Sequence, residues 1–500
     1  FEGEASSSPS IEIANKLTQA AALPKITLDK WIDEVIKANP IKVDISNAKL
    51  FNNNFYFSTD DNYSLKPLTV KDENVVTDYL KINKKGWLTF GNKIIVGQIQ
   101  DIQWWSGGLS PKEKLQSKLH LTRYVPNHIG NGETDDLTTI ADSLKQRKYI
   151  GIEHHYGLWY DRRRDDHQRV KRMDGDVWPP FYELPFARSG KGIAWDGLSK
   201  YDLNIYNKYY WNRLQSFANI ADSSNLILLN HHYFQHNIIE AGAHYADFPW
   251  RSANNINNTG FNEPVNYAGD KRIFYADQFY NVTNKTRNEL HKKYIFQNLN
   301  NFKNNSNVIH YISEEYTGPT HFVKFWLDNI AQWERENKQQ VMVALSVTKD
   351  VQDSILAIKK YADLIDIIEI KYWHYQADST LYAPKGGQNL APRQHARLLK
   401  PKKTSALQVY RAVYEYKIKY PSKAVVYRAD SYSEFSNAAF MAGGSLVPKV
   451  RKEFEDSLEI IGNLSPVNND EKQEWYLNDG KKNEVGFNYK DGIYWKVFVK

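Results

Sequence analysis

The sequence predicts an α/β fold: a (β/α)8 TIM barrel with a small N-terminal appendage and a small C-terminal β unit. Short apolar runs rich in β-branched residues alternate with segments of helical periodicity, and eight such runs follow one another. This alternation is typical of a parallel sheet closed into a barrel. The strand candidates are residues 119–126, 149–156, 225–234, 308–315, 340–347, 365–372, 424–430 and 443–447. The helical candidates are residues 137–146, 209–221, 288–302, 321–336, 351–361 and 406–419.

The segment before the barrel, residues 1–92, is predicted to hold a leader and the N-terminal appendage. Residues 87–98 predict a hairpin around the turn Gly91-Asn92. In an alternative count, residues 94–98 form the first barrel strand and residues 443–447 lie outside the ring. We prefer the first count, because the Gly-Gly-Ser-Leu-Val-Pro run that follows the last helix resembles a closing strand.

Residues 93–450 are the predicted catalytic barrel, with long loops between strands and helices. Residues 451–500 are predicted to begin with a helix and to end in a small β unit. The alternation of aromatic and aliphatic residues from Ile493 to Val499 is typical of antiparallel strands.

Composition excludes several classes of protein. A chain of 500 residues with 41% hydrophobic and 14% aromatic content can bury a large core, which excludes disordered and fibrous proteins. No run approaches the roughly eighteen apolar residues of a membrane-spanning helix. Cysteine is absent, which excludes disulfides and thiolate chemistry. The formal charge of +7 is modest for this length and predicts no nucleic-acid partner.

Two adjacent carboxylates, Glu314 and Glu315, close the fourth strand candidate. Glu is rarely buried without a partner, and catalytic groups of a barrel lie at the carboxyl ends of its strands. Because side chains alternate along a strand, only one of the two can face the site. A neighbouring carboxylate also raises the pKa of its partner, which suits an acid at neutral pH. Glu315 is the predicted general acid.

Hydrolysis of a glycosidic bond needs a second carboxylate, which attacks the sugar or activates water. Asp430 ends the seventh strand candidate and is the predicted nucleophile or base. Glu369 ranks second, because it lies inside its strand. In the alternative interpretation, Glu369 is an interior barrel residue paired with Lys371.

Two predicted loops, residues 157–201 and 236–277, are several times longer than ordinary strand–helix connections. Excess loop on one face of a scaffold often carries function. Their Arg, Trp, His and Asn residues suit a hydroxylated and partly anionic ligand, although surface ion pairs, turns and packing anchors use the same residues. The predicted substrate-binding residues are His154, His155, Trp159, Arg163, Asp166, His167, His232, His236, Trp250, Arg251, Tyr372, His374 and Arg428.

The histidine pairs His154-His155 and His231-His232 follow apolar runs and are candidate zinc ligands. No HExxH motif occurs, and adjacent residues of a strand point to opposite faces, so we predict no metal site and favour hydrogen bonds to substrate hydroxyls. The motifs GxGxxG and GxxxxGK[ST] are missing, so no nucleotide cofactor is predicted. A Ser nucleophile has no GxSxG motif to support it.

At Ser313-Glu314-Glu315-Tyr316 the chain resembles the clan A glycoside hydrolases. The resemblance implies a (β/α)8 barrel whose acid/base Glu ends the fourth strand. Glu315 matches the Glu of that clan's Asn-Glu motif, and Glu314 replaces the Asn. The clan's nucleophile is a Glu at the end of the seventh strand, where this chain offers Asp430. The resemblance covers about residues 119–448 and identifies no specific family.

These observations predict a glycoside hydrolase that acts on an acidic or sulfated polysaccharide or its oligosaccharides. One alternative is a polysaccharide lyase, in which His154, His232 or Tyr372 removes a proton next to a uronate and an Arg neutralises the carboxylate. A second alternative is a glycan-binding protein without catalysis. The chain begins at Phe1 without an initiator Met, so we expect a processed, secreted or periplasmic protein whose signal peptide is not visible.

Overall fold

The computed structural model describes residues 79–101, 137–156, 184–194, 199–235, 238, 248–261, 276–469, 474–490 and 492–498, and the backbone of a hairpin formed by β1 (Ala48–Phe51) and β2 (Asn54–Phe57). A three-stranded antiparallel sheet follows in the chain. Its strands are β3 (Leu80–Ile82), β4 (Leu88–Phe90) and β5 (Lys93–Ile94). The turn between β4 and β5 falls at Gly91-Asn92, so the predicted hairpin is confirmed.

Eight parallel strands form the central sheet, each paired with the next in chain order. At its two edges, the Gly97 N–H donates a hydrogen bond of 3.0 Å to the Val447 carbonyl, which brings the first and last strands together. The predicted (β/α)8 fold is therefore confirmed. The strands are β6 (Gln98–Asp101), β7 (Tyr149–His154), β10 (Ile227–Phe234), β11 (Val308–Glu314), β12 (Met342–Ser346), β13 (Ile367–Ile370), β16 (Ala424–Tyr427) and β17 (Gly444–Ser445).

The first strand of the ring is β6, so the prediction that residues 119–126 form the first strand is wrong. Those residues lie outside the described part of the chain. The sequence Gln98-Ile-Gln-Asp101 holds one apolar residue and does not look like a barrel strand, whereas the apolar run just before it does. The ring still contains β17, and β11 and β16 are its fourth and seventh strands, as predicted.

Helices alternate with most of these strands, and an antiparallel pair, β8 (Phe186–Arg188) and β9 (Tyr201–Tyr206), follows β7. A second pair, β14 (His374–Tyr375) and β15 (Leu381–Tyr382), follows β13. The helices are α1 (Leu137–Gln146), α2 (Lys208–Ser224), α3 (Ala276–Phe279), α4 (Lys285–Asn301), α5 (Thr320–Asn337), α6 (Lys349–Leu356), α7 (Lys359–Ala362), α8 (Pro392–Leu399), α9 (Ala406–Lys419), α10 (Ser436–Met441), α11 (Lys452–Glu455) and α12 (Leu458–Ile461), with a 3-10 turn at Ser252–Asn254.

Alternate residues of the barrel strands face two different hydrophobic layers. In β11, Ile309 and Tyr311 lie in the barrel interior, whereas Val308 and Ile312 pack against the surrounding helices. Leu80 and Leu88 of the N-terminal sheet, and Ile95 directly after it, join the interior layer. The Leu80 N–H also donates to the Asn307 side chain just before β11. The N-terminal sheet therefore covers the amino-terminal end of the barrel.

A four-stranded antiparallel sheet ends the chain, which confirms the predicted C-terminal β unit. Its strands are β18 (Ser465–Asn469), β19 (Glu474–Asn478), β20 (Glu484–Asn488) and β21 (Tyr494–Val497). Trp475 is buried and stacks on Tyr410 of α9, with ring centroids 4.5 Å apart. Across the described residues, no helix is both long and apolar enough to cross a membrane. The domain boundaries at residues 92 and 450 stay predictions.

Candidate functional site

Five polar side chains meet at the carboxyl-terminal end of the barrel. They belong to five different strands or to the residues that directly follow them, and the carboxyl ends of parallel strands open on one face of the fold. We call this set the carboxylate cluster. Its members are Glu153 in β7, His231 in β10, Glu314 at the end of β11, Lys371 after β13 and Arg428 after β16.

The period of two along each strand places these side chains inward. In β16, Ala424 and Val426 face the barrel interior, and the same alternation brings Arg428 to the interior at the strand's end. In β13, Ile367 occupies the interior layer, and Lys371 has the same parity. Local strand geometry thus directs long charged side chains of distant segments toward one point.

The ammonium group of Lys371 lies between two carboxylates. Its Nζ is 2.9 Å from Glu153 Oε1, and 2.7 and 3.0 Å from the two oxygens of Glu314. The three N–H bonds of the ammonium thus have three carboxylate oxygens within hydrogen-bond distance. The Lys371 side chain is 15% exposed, so these contacts are largely shielded from water.

Glu153 is held by cationic groups on both of its oxygens. Arg428 Nη2 lies 2.5 Å from Oε2, and Lys371 Nζ lies 2.9 Å from Oε1. The ring nitrogen Nε2 of His231 also lies 2.9 Å from Oε1. Burial alone would raise the pKa of Glu153. The charges of Arg428 and Lys371 and the contact with His231 outweigh burial and hold that pKa well below its usual range. Glu153 is therefore a carboxylate at neutral pH.

Glu314 responds to the same surroundings in the opposite direction. Burial is the largest cause and raises the pKa of Glu314 to about 7. The negative charges of Glu153 and Glu315 also raise the pKa of Glu314, Lys371 and His231 lower it, and the value of about 7 is the net result. Since one oxygen of Glu314 lies within 4.8 Å of one oxygen of Glu153, two carboxyl groups with oppositely shifted pKa values share one site.

Below the cluster, Glu369 lies fully buried in the barrel interior. Its Oε1 is 3.5 Å from the Tyr311 hydroxyl, which donates to it, and 3.6 Å from Arg428 Nη1. The partners of Lys371 are Glu153 and Glu314, so the pairing of Lys371 with Glu369 considered from the sequence is not the one observed. Tyr311 also stacks on His231, with ring centroids 4.6 Å apart.

The predicted catalytic pair lies at the same end of the barrel in a different setting. Glu315 is the first residue after β11 and has a left-handed backbone with φ of 59°. Asp430 accepts hydrogen bonds from Lys403 Nζ at 2.8 Å and from the Thr404 N–H at 2.9 Å. Of the two adjacent glutamates, Glu314 is the one that contacts Lys371. The roles predicted for Glu315 and Asp430 stay predictions.

A family model for a domain of unknown function, DUF6298, matches residues 1–461 of this chain. The chain belongs to the DUF6298 family. The match contains the whole carboxylate cluster and all eight strands of the barrel, and the family's description gives no activity. No curated protein sequence was found to match the chain.

Two solved structures are similar to this DUF6298 barrel. A glycoside hydrolase family 5 protein from Bacteroides vulgatus ATCC 8482 has 10% sequence identity and a TM-score of 0.39, covering 84% of this chain and 82% of that one. A second structure, a glycoside hydrolase, has 10% identity and a TM-score of 0.39, covering 82% and 83%. At this identity and TM-score, the likeness carries no information about the activity of this chain.

Several predicted substrate-binding residues of the DUF6298 barrel lie between the sheet and the helices. His154 contacts Asn230 at 3.3 Å and the Tyr210 hydroxyl at 3.5 Å. Burial lowers the pKa of His154 to about 3, so the ring is neutral. His232 lies 3.0 Å from His310 Nδ1 and accepts a hydrogen bond from the Trp326 indole.

Other predicted residues lie closer to the barrel mouth or in packed loops. His155 stacks on Phe234 with ring centroids 4.4 Å apart, and Trp250 is buried against His291 at 4.5 Å. Arg251 is also buried. His374 Nε2 lies 3.1 Å from the Lys402 carbonyl. Tyr372 is buried next to Lys371, and Arg428 is a member of the cluster. Trp159, Arg163, Asp166, His167 and His236 lie outside the described residues.

The cluster also contains the one group of potential metal ligands found among the described residues. One ligand atom from each of Glu153, His231 and Glu314 lies within 4.8 Å of the others. However, the Lys371 ammonium contacts both carboxylates, so a cation already occupies the space between them. A metal ion would have to displace Lys371, and we assign no metal to this site.

Proposed function

We propose that this chain is a glycoside hydrolase in which Glu314 is the general acid and Glu153 is the second carboxylate. The observation that carries the proposal is the pair of carboxyl groups bridged by Lys371, one with a lowered pKa and the other with a raised pKa. Paired carboxyl groups whose surroundings push their pKa values apart are the usual means of glycosidic bond hydrolysis.

Glu314 suits the role of proton donor. With a pKa of about 7, a large fraction of Glu314 is protonated at neutral pH, although an ordinary Glu would be ionised. A general acid works best when its pKa is near the working pH. In the proposed reaction, Glu314 gives its proton to the leaving glycosidic oxygen as the bond to the anomeric carbon breaks.

Glu153 suits the role of the permanently ionised partner. Its negative charge would face the positive charge that develops on the sugar ring, by attack on the anomeric carbon or by electrostatic stabilisation. Retaining enzymes have carboxyl groups about 5 to 5.5 Å apart, and inverting enzymes about 6.5 to 9.5 Å. One oxygen of Glu153 lies within 4.8 Å of one oxygen of Glu314, which is nearer to the retaining spacing than to the inverting one.

For the substrate, we propose an acidic or sulfated polysaccharide or its oligosaccharides. The formal charge of +7 supports an anionic ligand, and the long segments after the second and third barrel strands offer room for binding residues. A secreted or periplasmic location would match such a substrate. The pair Glu315 and Asp430 is the alternative catalytic pair.

Activity of five proteins tests the proposal: the wild type and the variants Glu314→Gln, Glu153→Gln, Glu315→Gln and Asp430→Asn. Each is incubated with acidic and neutral polysaccharides, and reducing ends and ultraviolet absorbance are read together. We expect reducing ends without absorbance, and a loss of about 10²- to 10⁴-fold in Glu314→Gln, with Glu315→Gln close to wild type as the matched control.

Other results would point elsewhere. Loss of activity in Glu315→Gln and Asp430→Asn alone would move the catalytic pair to those residues. A product that absorbs as an unsaturated uronate would identify a lyase. Binding to a polysaccharide without any product would identify a glycan-binding protein, and the proposal of hydrolysis would then be wrong.

A further inference from the structure

We infer that Lys371 is a positioning residue of this site, whose ammonium group keeps the Glu314 carboxyl in place both before and after the transfer of its proton. This inference rests on the proposed function, since it gives Glu314 a proton to transfer. Its geometric basis is the set of three contacts from one nitrogen to Glu153 and Glu314, at 2.9, 3.0 and 2.7 Å.

Lys371 keeps a counter-charge in either protonation state of Glu314. When Glu314 is protonated, the ammonium is compensated by ionised Glu153 through Oε1. When Glu314 loses its proton, both of its oxygens lie within 3.0 Å of the same ammonium. A buried charge without a partner costs several kcal/mol, and this arrangement avoids one at either stage.

Arg428 makes this division of charge possible. It contacts the other oxygen of Glu153, Oε2, at 2.5 Å. Glu153 therefore has its own cation, and the charge of Lys371 can be shared with Glu314. Lys371 therefore contacts two carboxyl groups whose protonation at neutral pH differs.

Several charged or titratable groups face Glu314, and only one of them is an ammonium. His231 of β10 lies 3.5 Å from Glu314 Oε2. Lys371 is the cation that lies closest to Glu314 among these groups. We therefore expect removal of Lys371 to change the proton affinity of Glu314 more than removal of any other of these groups. The groups that face Glu314 are Glu153, His231, Glu315, Lys371 and Tyr372.

The test compares Lys371→Met, Lys371→Arg and Lys349→Met with the wild type. Lys349 is the matched control, because it also bridges two carboxylates, Asp353 at 3.3 Å and Glu415 at 3.2 Å, and is 12% exposed. The measurement is the pH dependence of kcat/KM on the polysaccharide that the wild type cleaves. Circular dichroism and Tm confirm folding, and Lys371→Gln replaces the Met variant if that variant does not fold.

Without the ammonium, the Glu314 carboxylate is harder to form, so the alkaline loss of activity should move to higher pH. We expect a move of about one to three pH units in Lys371→Met, and almost none in Lys371→Arg or Lys349→Met. If the alkaline limb stays in place in a folded Lys371→Met protein, Lys371 has a structural role only and the inference is wrong, although the proposed function would stand.

A second readout does not depend on activity. Infrared difference spectra follow the protonated carboxyl band that disappears in Glu314→Gln, and its titration midpoint is compared between wild type and Lys371→Met. If no polysaccharide is cleaved but this midpoint rises in Lys371→Met, the proposed function fails, and what is supported is the control of Glu314 protonation by Lys371, without a role in proton transfer to a sugar. An unchanged midpoint overturns the inference.

Discussion

Arg428, after the seventh barrel strand, reaches Glu153 in the second strand, with 2.5 Å between Nη2 and Oε2. Both side chains are almost fully buried, at 9% and 7% exposure. Without Arg428, the buried Glu153 carboxylate keeps one cation, Lys371, whose charge it shares with Glu314, so we expect Arg428→Met to lower the free energy of unfolding by about 3 to 5 kcal/mol.

Urea unfolding at pH 7 measures this change. The control is Lys359→Met, which breaks an exposed pair with Asp363 on the barrel's outer surface and should cost at most about 0.5 kcal/mol. Equal effects of the two variants would mean that burial does not strengthen the contact between Arg428 and Glu153.

The activity of the wild type should fall as pH rises through about 7. Burial raises the pKa of Glu314 to about 7, and a general acid is active only while protonated. Values of kcat/KM from pH 4 to pH 9 would show this limb. A limb near the ordinary pKa of a glutamate, about 4.3, would indicate a different proton donor.

Stability should depend on pH through Glu314 even without a substrate. The pKa of Glu314 is higher in the folded state than in the unfolded state. The contribution of Glu314 to the free energy of unfolding is therefore complete below about pH 4.3 and is lost as pH rises through about 7. Gln does not ionise. Relative to the wild type, Glu314→Gln should therefore gain on the order of 3 kcal/mol between pH 4 and pH 8.

The difference in unfolding free energy between the two proteins, measured at several pH values, checks this expectation. The control is Glu336→Gln, at an exposed position of α5. For this variant, the difference in unfolding free energy from the wild type should not change with pH. A flat difference for Glu314→Gln as well would mean that burial leaves Glu314 with ordinary acidity.

Trp475 attaches the C-terminal sheet to the barrel. It is buried between Tyr410 and Tyr489, with ring centroids 4.5 and 4.8 Å away. Trp475→Ala would leave a cavity, and we expect a loss of about 3 to 5 kcal/mol. Chemical unfolding gives the loss, and limited proteolysis would show whether the C-terminal sheet is cut first. Protection equal to the wild type would contradict this attachment.

The sequence predicted the positions of the barrel strands that are apolar, and it did not predict the first strand, which is mostly polar. Residues 308–314 and 424–427 are rich in β-branched residues, and their places as fourth and seventh strands were predicted. The first strand, Gln98–Asp101, was missed because three of its four residues are polar. Its role in the ring comes from hydrogen bonds with β7, which composition does not reveal.

The predicted catalytic residues Glu315 and Asp430 lie at the carboxyl-terminal end of the barrel, and their roles stay predictions; the carboxylate cluster was not predicted as a set. Alternation required that only one of Glu314 and Glu315 face the site, and the choice depended on where the strand ends. Glu153 lies between Ile152 and His154 inside an apolar strand, where no sequence motif marks it as a site residue. Only the fold shows that Lys371, more than two hundred residues away in the chain, reaches Glu153.

The N-terminal sheet also constrains the order of folding. The Trp87 indole donates to the Leu464 carbonyl, and the Asn83 side chain donates to the Gly462 carbonyl, contacts that span 377 and 379 residues. The amino-terminal end of the barrel is therefore completed by segments made early and late in synthesis. During translation, the apolar surfaces of Leu80 and Leu88 therefore stay uncovered until the last barrel strands leave the ribosome, so the interior layer can form only late in synthesis.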